Sequence, residues 1–473
     1  MVFTSVFFLF LFLPSTKLFN WLFIKKLKLQ NLVLMLSSLF FYYWGEKNHI
    51  VIMLTCTIIN FTIGILIENS SQQKQRKFFL ITSVTASLSI LIYFKYFNFF
   101  LSSAAYFFNA NVTQFVKIAL PLGISFYTFH ALSYVVDVYW RKIKAERSLI
   151  NFICYISLFP QLVAGPIVRY SDIGHSFYHR YITRVGFRNG ILRFSFGLGK
   201  KILIADVISN VADAIFVLHY DQLTFGLAWL GAISYALQIY FDFSGYSDMA
   251  IGLGLMFGFK YKENFRFPYS ATSIQDFWRK WHISLSSWFR DYIYIPLGGN
   301  QCSQNRTYFN LIIVFGLCGL WHGANYTFIL WGLFHGLFLI LERTPWGVFI
   351  RALPSFAQHF YVLFIVTLGW VFFREEGLHN ALYFINAMFS ASGLNIDRVL
   401  IHINIIVILA YSIGLMLALG MNKYIRDYLT FYRNKSLIKI YRELSILMGL
   451  IVLLISVLSL SNNTYTPFLY FRF

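Results

Sequence analysis

Two histidines stand where they are costly. In Gly319–Gly336, GLWHGANYTFILWGLFHG, His322 lies between Gly319 and Gly323 inside an apolar run. Small residues four apart let another helix approach closely, so the His322 ring is expected inside a bundle and not against lipid. An intramembrane imidazole is a functional candidate by default; the alternative is a histidine that only hydrogen-bonds between helices. His335 follows thirteen residues later. In one continuous helix it would lie about 20 Å away on the opposite face, so it can share a site with His322 only if the chain folds back near Asn325. It is expected to be a structural polar contact.

The third histidine of interest, His282, lies in Ser273–Asn300, SIQDFWRKWHISLSSWFRDYIYIPLGGN. Ser273 with Asp276 is a capping-box start, and Pro296 with Gly298 and Gly299 is a stop, which predicts one helix between them. Trp278, Trp281, Leu285 and Trp288 recur every three or four residues, the composition of an interfacial helix with an aromatic belt at headgroup depth. Arg279, Lys280 and Arg290 crowd in alongside and suit the phosphates of a cofactor at the membrane surface. Other schemes are poorer. There is no GxSxG elbow, no GxxxxGK[ST] loop and no CxxC spacing, and the His175/His179 pair lacks a third ligand, so no metal is expected. Asp137, Asp242 and Asp248 are expected to pair with nearby Arg, Tyr or Ser groups and fix helix packing, although a transporter could use such residues as a proton relay.

The elements that must hold these residues are membrane helices. Of 473 residues, 58% are apolar and 12% charged, against 45–50% and 25% in ordinary soluble domains. Spans are read near 2–24, 29–44, 49–67, 78–97, 115–139, 149–168, 190–218, 225–243, 246–259, 308–321, 325–341, 357–373, 400–420 and 444–460, with interruptions around Pro121 and Pro160 to Pro166. The first is read as a retained span and not as a cleaved signal. Together they predict an all-α, polytopic helical bundle of about 11–14 membrane segments, some re-entrant, in a single domain over 1–473. A net charge of +20 would suggest nucleic acid in a soluble protein. Here 30 of the 39 Lys and Arg fall in six short breaks between apolar runs, which is the positive-inside pattern of a cytoplasmic face meeting anionic lipid, so no nucleic-acid partner is expected.

The segments PLGISFYTFHALSYVVDVY (121–139), LVAGPIVRY (162–170), YFDFSGYSDMAIGLGLMFGF (240–259), FWRKWHISLSSWFRDYIYIPLGGN (277–300), LWHGANYTFILWGLFHG (320–336) and PFLYFRF (467–473) resemble the bacterial membrane-bound O-acyltransferase family, in its alginate O-acetylase-like branch. That resemblance implies a multi-pass protein of the bacterial inner membrane that takes acetyl from cytoplasmic acetyl-CoA. It implies O-acetylation of an exported or envelope polysaccharide, directly or through an extracytoplasmic acetyltransferase partner. It also implies that His322 is the essential histidine and His282 the second histidine of the site.

Acyl transfer from a thioester needs a base, oxyanion donors and exclusion of water. A buried neutral imidazole at His322 fits the base; His282 could orient or polarise the donor carbonyl, and Asn325 could add an amide donor. Acetyl must also cross roughly 30 Å of hydrocarbon. Tyr470, in a segment resembling the acyl-carrying tails of related two-component systems, is the candidate carrier; the simpler reading is an aromatic anchor at headgroup depth. The competing class is a transporter without acyl chemistry, whose inverted repeats are not seen.

Overall fold

A computed structural model describes residues 1–108, 118–421, 435–462 and 467–469. Among the described residues the regular structure is helical. In chain order the α-helices are α1 (Leu13–Leu22), α2 (Leu27–Glu46), α3 (Ile50–Asn69), α4 (Gln73–Phe108), α5 (Ile124–Tyr139), α6 (Leu149–Ser157), α7 (Phe159–Leu162), α8 (Tyr170–Ile173), α9 (Arg184–Gly199), α10 (Asp206–Phe216), α11 (Phe225–Met256), α12 (Ile274–Lys280), α13 (Ile283–Phe289), α14 (Gln304–His322), α15 (Tyr326–Leu341), α16 (Pro345–Ala352), α17 (Ser355–Arg374), α18 (Leu378–Met388), α19 (Ile405–Ala418) and α20 (Lys435–Asn462). Three π-helical stretches, Phe8–Phe12, Lys200–Ala205 and Arg290–Tyr294, adjoin α1, α10 and α13.

The protein is an all-α, polytopic membrane protein. Segments 27–69, 73–105, 355–374 and 439–461 are each long and apolar enough to cross a bilayer; α15 and α16 reach that length and apolarity only together and are bent by 79° at the break between them. Their outward side chains are apolar: Leu36, Val51, Ile58, Phe78, Leu447 and Leu454 are all exposed. Hydrocarbon solvates such a surface. The interruption expected near Pro160 is present, as α6 ends at Ser157 and α7 begins at Phe159. One expectation is corrected. The separate spans at 225–243 and 246–259 are a single helix, α11, of 32 residues, because Ser244 and Gly245 offer no break strong enough to stop it.

The chain packs as two compact units, Met1–Phe194 with Met249–Lys262, and Ser195–Asp248 with Glu263–Phe473. In the first, buried amides pin apolar helices: Asn31 Nδ2 donates to Asn151 Oδ1 at 2.9 Å and to the Phe177 carbonyl at 2.8 Å. A satisfied amide in an apolar interior fixes the register that apolar contacts alone leave loose. The second unit builds a core on Ile215, Leu227, Ala228, Val371, Phe384 and Met388, and it contains all three histidines singled out above.

Candidate active site

His322 is the last residue of α14, which turns at Gly323 and returns as α15. The chain therefore does fold back near Asn325. The hairpin is tight because its glycines leave no room for a side chain: a Cβ on Gly319 would stand 2.2 Å from the Phe328 carbonyl oxygen, and one on Gly332 2.1 Å from that of Phe315. Gly323 lies past the end of α14, but at Gly319, with Gly332 as its counterpart on α15, the close approach expected of the small residues is realised. It presses the His322 ring against Trp321, Trp331 and Phe373, with centroid separations of 4.9, 5.0 and 5.1 Å, all edge-to-face. His335 packs on the same indole, 5.2 Å from Trp331, so the fold-back brings both imidazoles against one tryptophan. Neither ring nitrogen of His335 has a hydrogen-bond partner among the described residues.

The helix predicted from Ser273 to Pro296 starts as expected, with Ser273 Oγ accepting from the Asp276 N–H at 3.0 Å. It does not continue. The helix breaks at Trp281 and His282, and His282 takes a left-handed conformation, φ 42° and ψ 54°, before α13 begins. The cause is the loop residue Asn264. Its carbonyl oxygen Oδ1 accepts from the Ser284 N–H at 3.1 Å, the Ser284 hydroxyl at 2.8 Å and His282 Nδ1 at 3.2 Å, and its main-chain carbonyl accepts from the Ile283 N–H at 2.9 Å. Asn264 Nδ2 in turn donates to Ser247 Oγ at 3.0 Å. These bonds give the N-terminus of α13 an alternative to one further helical turn. The tryptophan stripe is also placed differently from a headgroup belt, since Trp278, Trp281, Leu285 and Trp288 are all buried. Trp278 packs on Trp331 and His335, while the Glu342 carboxylate accepts the Ile274 and Gln275 N–H groups and so fixes the start of α12 against the end of α15.

The tautomer of His282 follows from its neighbours. A main-chain N–H can only donate, so the Asn264 atom that Ser284 and His282 share is an oxygen, and His282 Nδ1 carries the proton. Its lone pair is on Nε2. Burial pushes His282 down to about 3, so the ring is neutral at physiological pH. A neutral Nδ1–H ring can accept but not donate through Nε2, which leaves the orienting role open and removes polarisation of a carbonyl by hydrogen-bond donation. A group so reluctant to take a proton is also a poor general base.

The two imidazoles meet: the His282 and His322 ring centroids are 6.5 Å apart. Phe243 closes the His282 side at 4.7 Å, and Trp321 touches both rings. Aromatic rings wall both buried imidazoles, the water-poor setting that acyl transfer from a hydrolysable donor requires.

The other predicted residues are dispersed. Arg279 and Arg290 are exposed; Arg290 grips Asp291 through Nε and Nη2 at 2.7 and 3.2 Å, and Lys280 pairs with Asp276 at 2.7 Å. The Asn325 amide is engaged elsewhere: Oδ1 accepts from the Thr327 N–H and Nδ2 donates to the Glu376 carbonyl at 2.6 Å. Tyr470 lies outside the described residues. Asp242 and Asp248 are paired, but with lysines where Arg, Tyr or Ser groups are expected: Lys201 and Lys200 stand at 2.6 Å each. Among the described residues no group of three or more His, Cys, Asp or Glu could hold a metal, and His175 and His179 stack on one another at 4.7 Å. Asn264, Phe243 and Phe373 escaped the sequence reading. An Asn in a loop and Phe residues in apolar helices have no spacing that marks them.

The family model described as MBOAT, membrane-bound O-acyltransferase family, matches residues 71–373, a stretch that contains both histidines of the pair. The chain belongs to the membrane-bound O-acyltransferase family. It is 40% identical to a probable alginate O-acetylase of Pseudomonas putida, over the whole of both chains. A probable alginate O-acetylase of Azotobacter vinelandii is 45% identical, over 82% of this chain and 78% of its own, and a peptidoglycan O-acetyltransferase of Helicobacter pylori is 36% identical over 84% and 81%. The protein is thus a multi-pass membrane acyltransferase that uses an acyl donor.

Proposed function

We propose that this acyltransferase, in a bacterial inner membrane, takes acetyl from acetyl-CoA on the cytoplasmic side and delivers it for O-acetylation of an envelope or exported polysaccharide. The observation that carries the reading is the buried imidazole pair, 6.5 Å between centroids, within the stretch that matches the family. The relatives named for alginate and peptidoglycan acetylation, 36–45% identical, support acetyl as the group and a polysaccharide as the acceptor.

The acyl step assigns His322 as general base. A hydroxyl oxygen attacks the thioester carbonyl carbon while His322 takes its proton; the tetrahedral intermediate then collapses, the C–S bond breaks, and the proton passes to the departing thiolate. His282 orients the donor through its Nε2 lone pair. Arg279, Lys280 and Arg290 hold the donor's phosphates, Arg290 by sharing its guanidinium between Asp291 and a phosphate. Asn325 serves by capping α15 and so placing the turn after His322.

The hydroxyl that attacks first is the phenol of Tyr470. An aryl ester formed there is a better acyl donor than an alkyl ester, because a phenol leaves with pKa near 10. An extracytoplasmic acetyltransferase partner then passes the acetyl to the polymer. The test is turnover of acetyl-CoA by the purified chain in detergent. His322→Ala is expected to lower it by at least about 100-fold while the protein stays folded, since a general base contributes 10²–10⁴; turnover at the wild-type rate overturns the assignment. Tyr470→Phe keeps the aromatic ring and removes the hydroxyl, so polymer acetylation that survives it eliminates the carrier.

A further inference from the structure

The acyl chemistry does not use a buried ionic trio. Lys201 lies in the π-helical stretch Lys200–Ala205, 2% exposed, with its Nζ 2.7 Å from Asp206 Oδ1 and 2.6 Å from Asp242 Oδ1. A Cβ on Gly245 would stand 2.7 Å from the Gly197 carbonyl oxygen, so the end of α9 and α11 touch main chain to main chain and bring Lys201 within reach of Asp242. A buried ion pair is weak evidence for stability, because apolar residues of the same volume do as well. Ionisable groups inside a membrane protein point to a task.

The task is visible at the second carboxylate oxygen. Asp242 Oδ2 accepts the main-chain N–H of Leu469 at 2.9 Å. Phe468 lies edge-on against Tyr246 at 4.6 Å and under Lys201 Nζ at 4.8 Å, and Phe468 and Leu469 are 1% and 5% exposed. Charged acceptors make the stronger class of hydrogen bond, and a main-chain N–H bonded in this way is fixed in place whatever side chain it carries.

The position of this seat matters. On α11, Asp242 and Tyr246 are i,i+4 neighbours and hold the 467–469 segment, while the adjoining i,i+4 row, Phe243 and Ser247, holds His282, by ring contact and through Asn264. Two turns of one helix therefore carry the segment on one row and the catalytic wall on the next. The residue that follows Leu469 in the sequence is Tyr470.

We propose that Asp242, held by Lys201 and Asp206, is a positioning residue that seats the 467–469 segment beside the histidine pair, so that the carrier hydroxyl is delivered to the acyl donor. The inference rests on the carrier reading of Tyr470. Stability alone asks nothing specific of Asp242; seating a main-chain N–H asks for an acceptor at that position.

The test uses the full chain in detergent, with acetyl-CoA as the donor. Hydrogen exchange reads the Leu469 amide, and mass spectrometry reads acetyl on the peptide that contains Tyr470. Asp242→Ala is expected to lose the amide's protection and slow acetyl appearance at least tenfold, with the acetyl-CoA KM within twofold of wild type. Phe468→Ala, which leaves the buried ion pairs untouched, is expected to do the same, and retained protection of the α11 amides certifies the fold in both. Protection that survives Asp242→Ala overturns the seat. Protection lost with acetyl appearance unchanged overturns the positioning role. A wild-type chain with a protected Leu469 amide and no acetyl on Tyr470 overturns the carrier, and with it the purpose of the seat, and is told from a failed seat by that protection.

Discussion

Asn264 controls the site more than its loop position suggests. Its Oδ1 accepts three hydrogen bonds, and removing it leaves the Ser284 N–H, the Ser284 hydroxyl and His282 Nδ1 to find other partners inside the protein. A lost acceptor for a buried donor costs about 1–3 kcal/mol. Asn264→Ala is therefore expected to lower the detergent melting temperature and to cut kcat at least tenfold with little change in donor KM, because the His282 ring loses its tautomer and its direction while the donor's phosphate contacts are untouched. Steady-state kinetics with thermal unfolding checks both. The pH response of stability has a definite sign. Burial holds His282 at about 3 in the folded protein, below the ordinary histidine value of 6.5. Above pH 6.5 the ring is neutral in both states. Between 6.5 and 3 the unfolded chain binds a proton that the folded chain refuses, so stability falls on acidification by up to about 1.4 kcal/mol per pH unit. Melting curves from pH 8 to 5 are expected to fall below 6.5, and less steeply in His282→Gln.

At the scale of elements, the α14–α15 hairpin is set by glycine more than by hydrophobicity. Gly332→Ala drives a methyl to 2.1 Å from the Phe315 carbonyl, a backbone atom that cannot swing aside, whereas Gly336→Ala meets only the Phe315 Cβ at 3.2 Å. Overpacking of this kind costs about 1–3 kcal/mol. Gly332→Ala is expected to lower the melting temperature by several degrees and to displace His322, while Gly336→Ala stays near wild type; unfolding monitored by tryptophan fluorescence separates them. The α12–α13 break shows why helix periodicity misleads here. Trp278, Trp281, Leu285 and Trp288 fit a continuous helix, and a strong start at Ser273 with a stop at Pro296 frames one. The competing bonds come from Asn264, 18 residues before His282, and no local pattern announces them.

Over the whole molecule, the apolar exterior sets the environment, and the six basic breaks in the sequence predict an orientation. The exposed position 300 lies in the basic stretch between Lys260 and Arg306 and is expected on the cytoplasmic face. A membrane-impermeant maleimide is expected to label Asn300→Cys in inverted vesicles and not in intact cells, and the opposite labelling would reverse the topology. Composition alone determined that the chain is a helical membrane protein, because an excess of apolar residues with clustered cations has no other stable solvent. The spacing around His322 marked it for the bundle interior, because small residues beside a ring admit a close neighbour; Gly319 does so on α14, while Gly323 lies past the helix end. Tertiary structure decided the rest. The 6.5 Å meeting of His282 and His322 depends on a hairpin, a broken helix and a loop amide from three parts of the sequence. The seat for Leu469 joins residues 227 positions apart, and one-dimensional periodicity carries no record of contacts made at that separation.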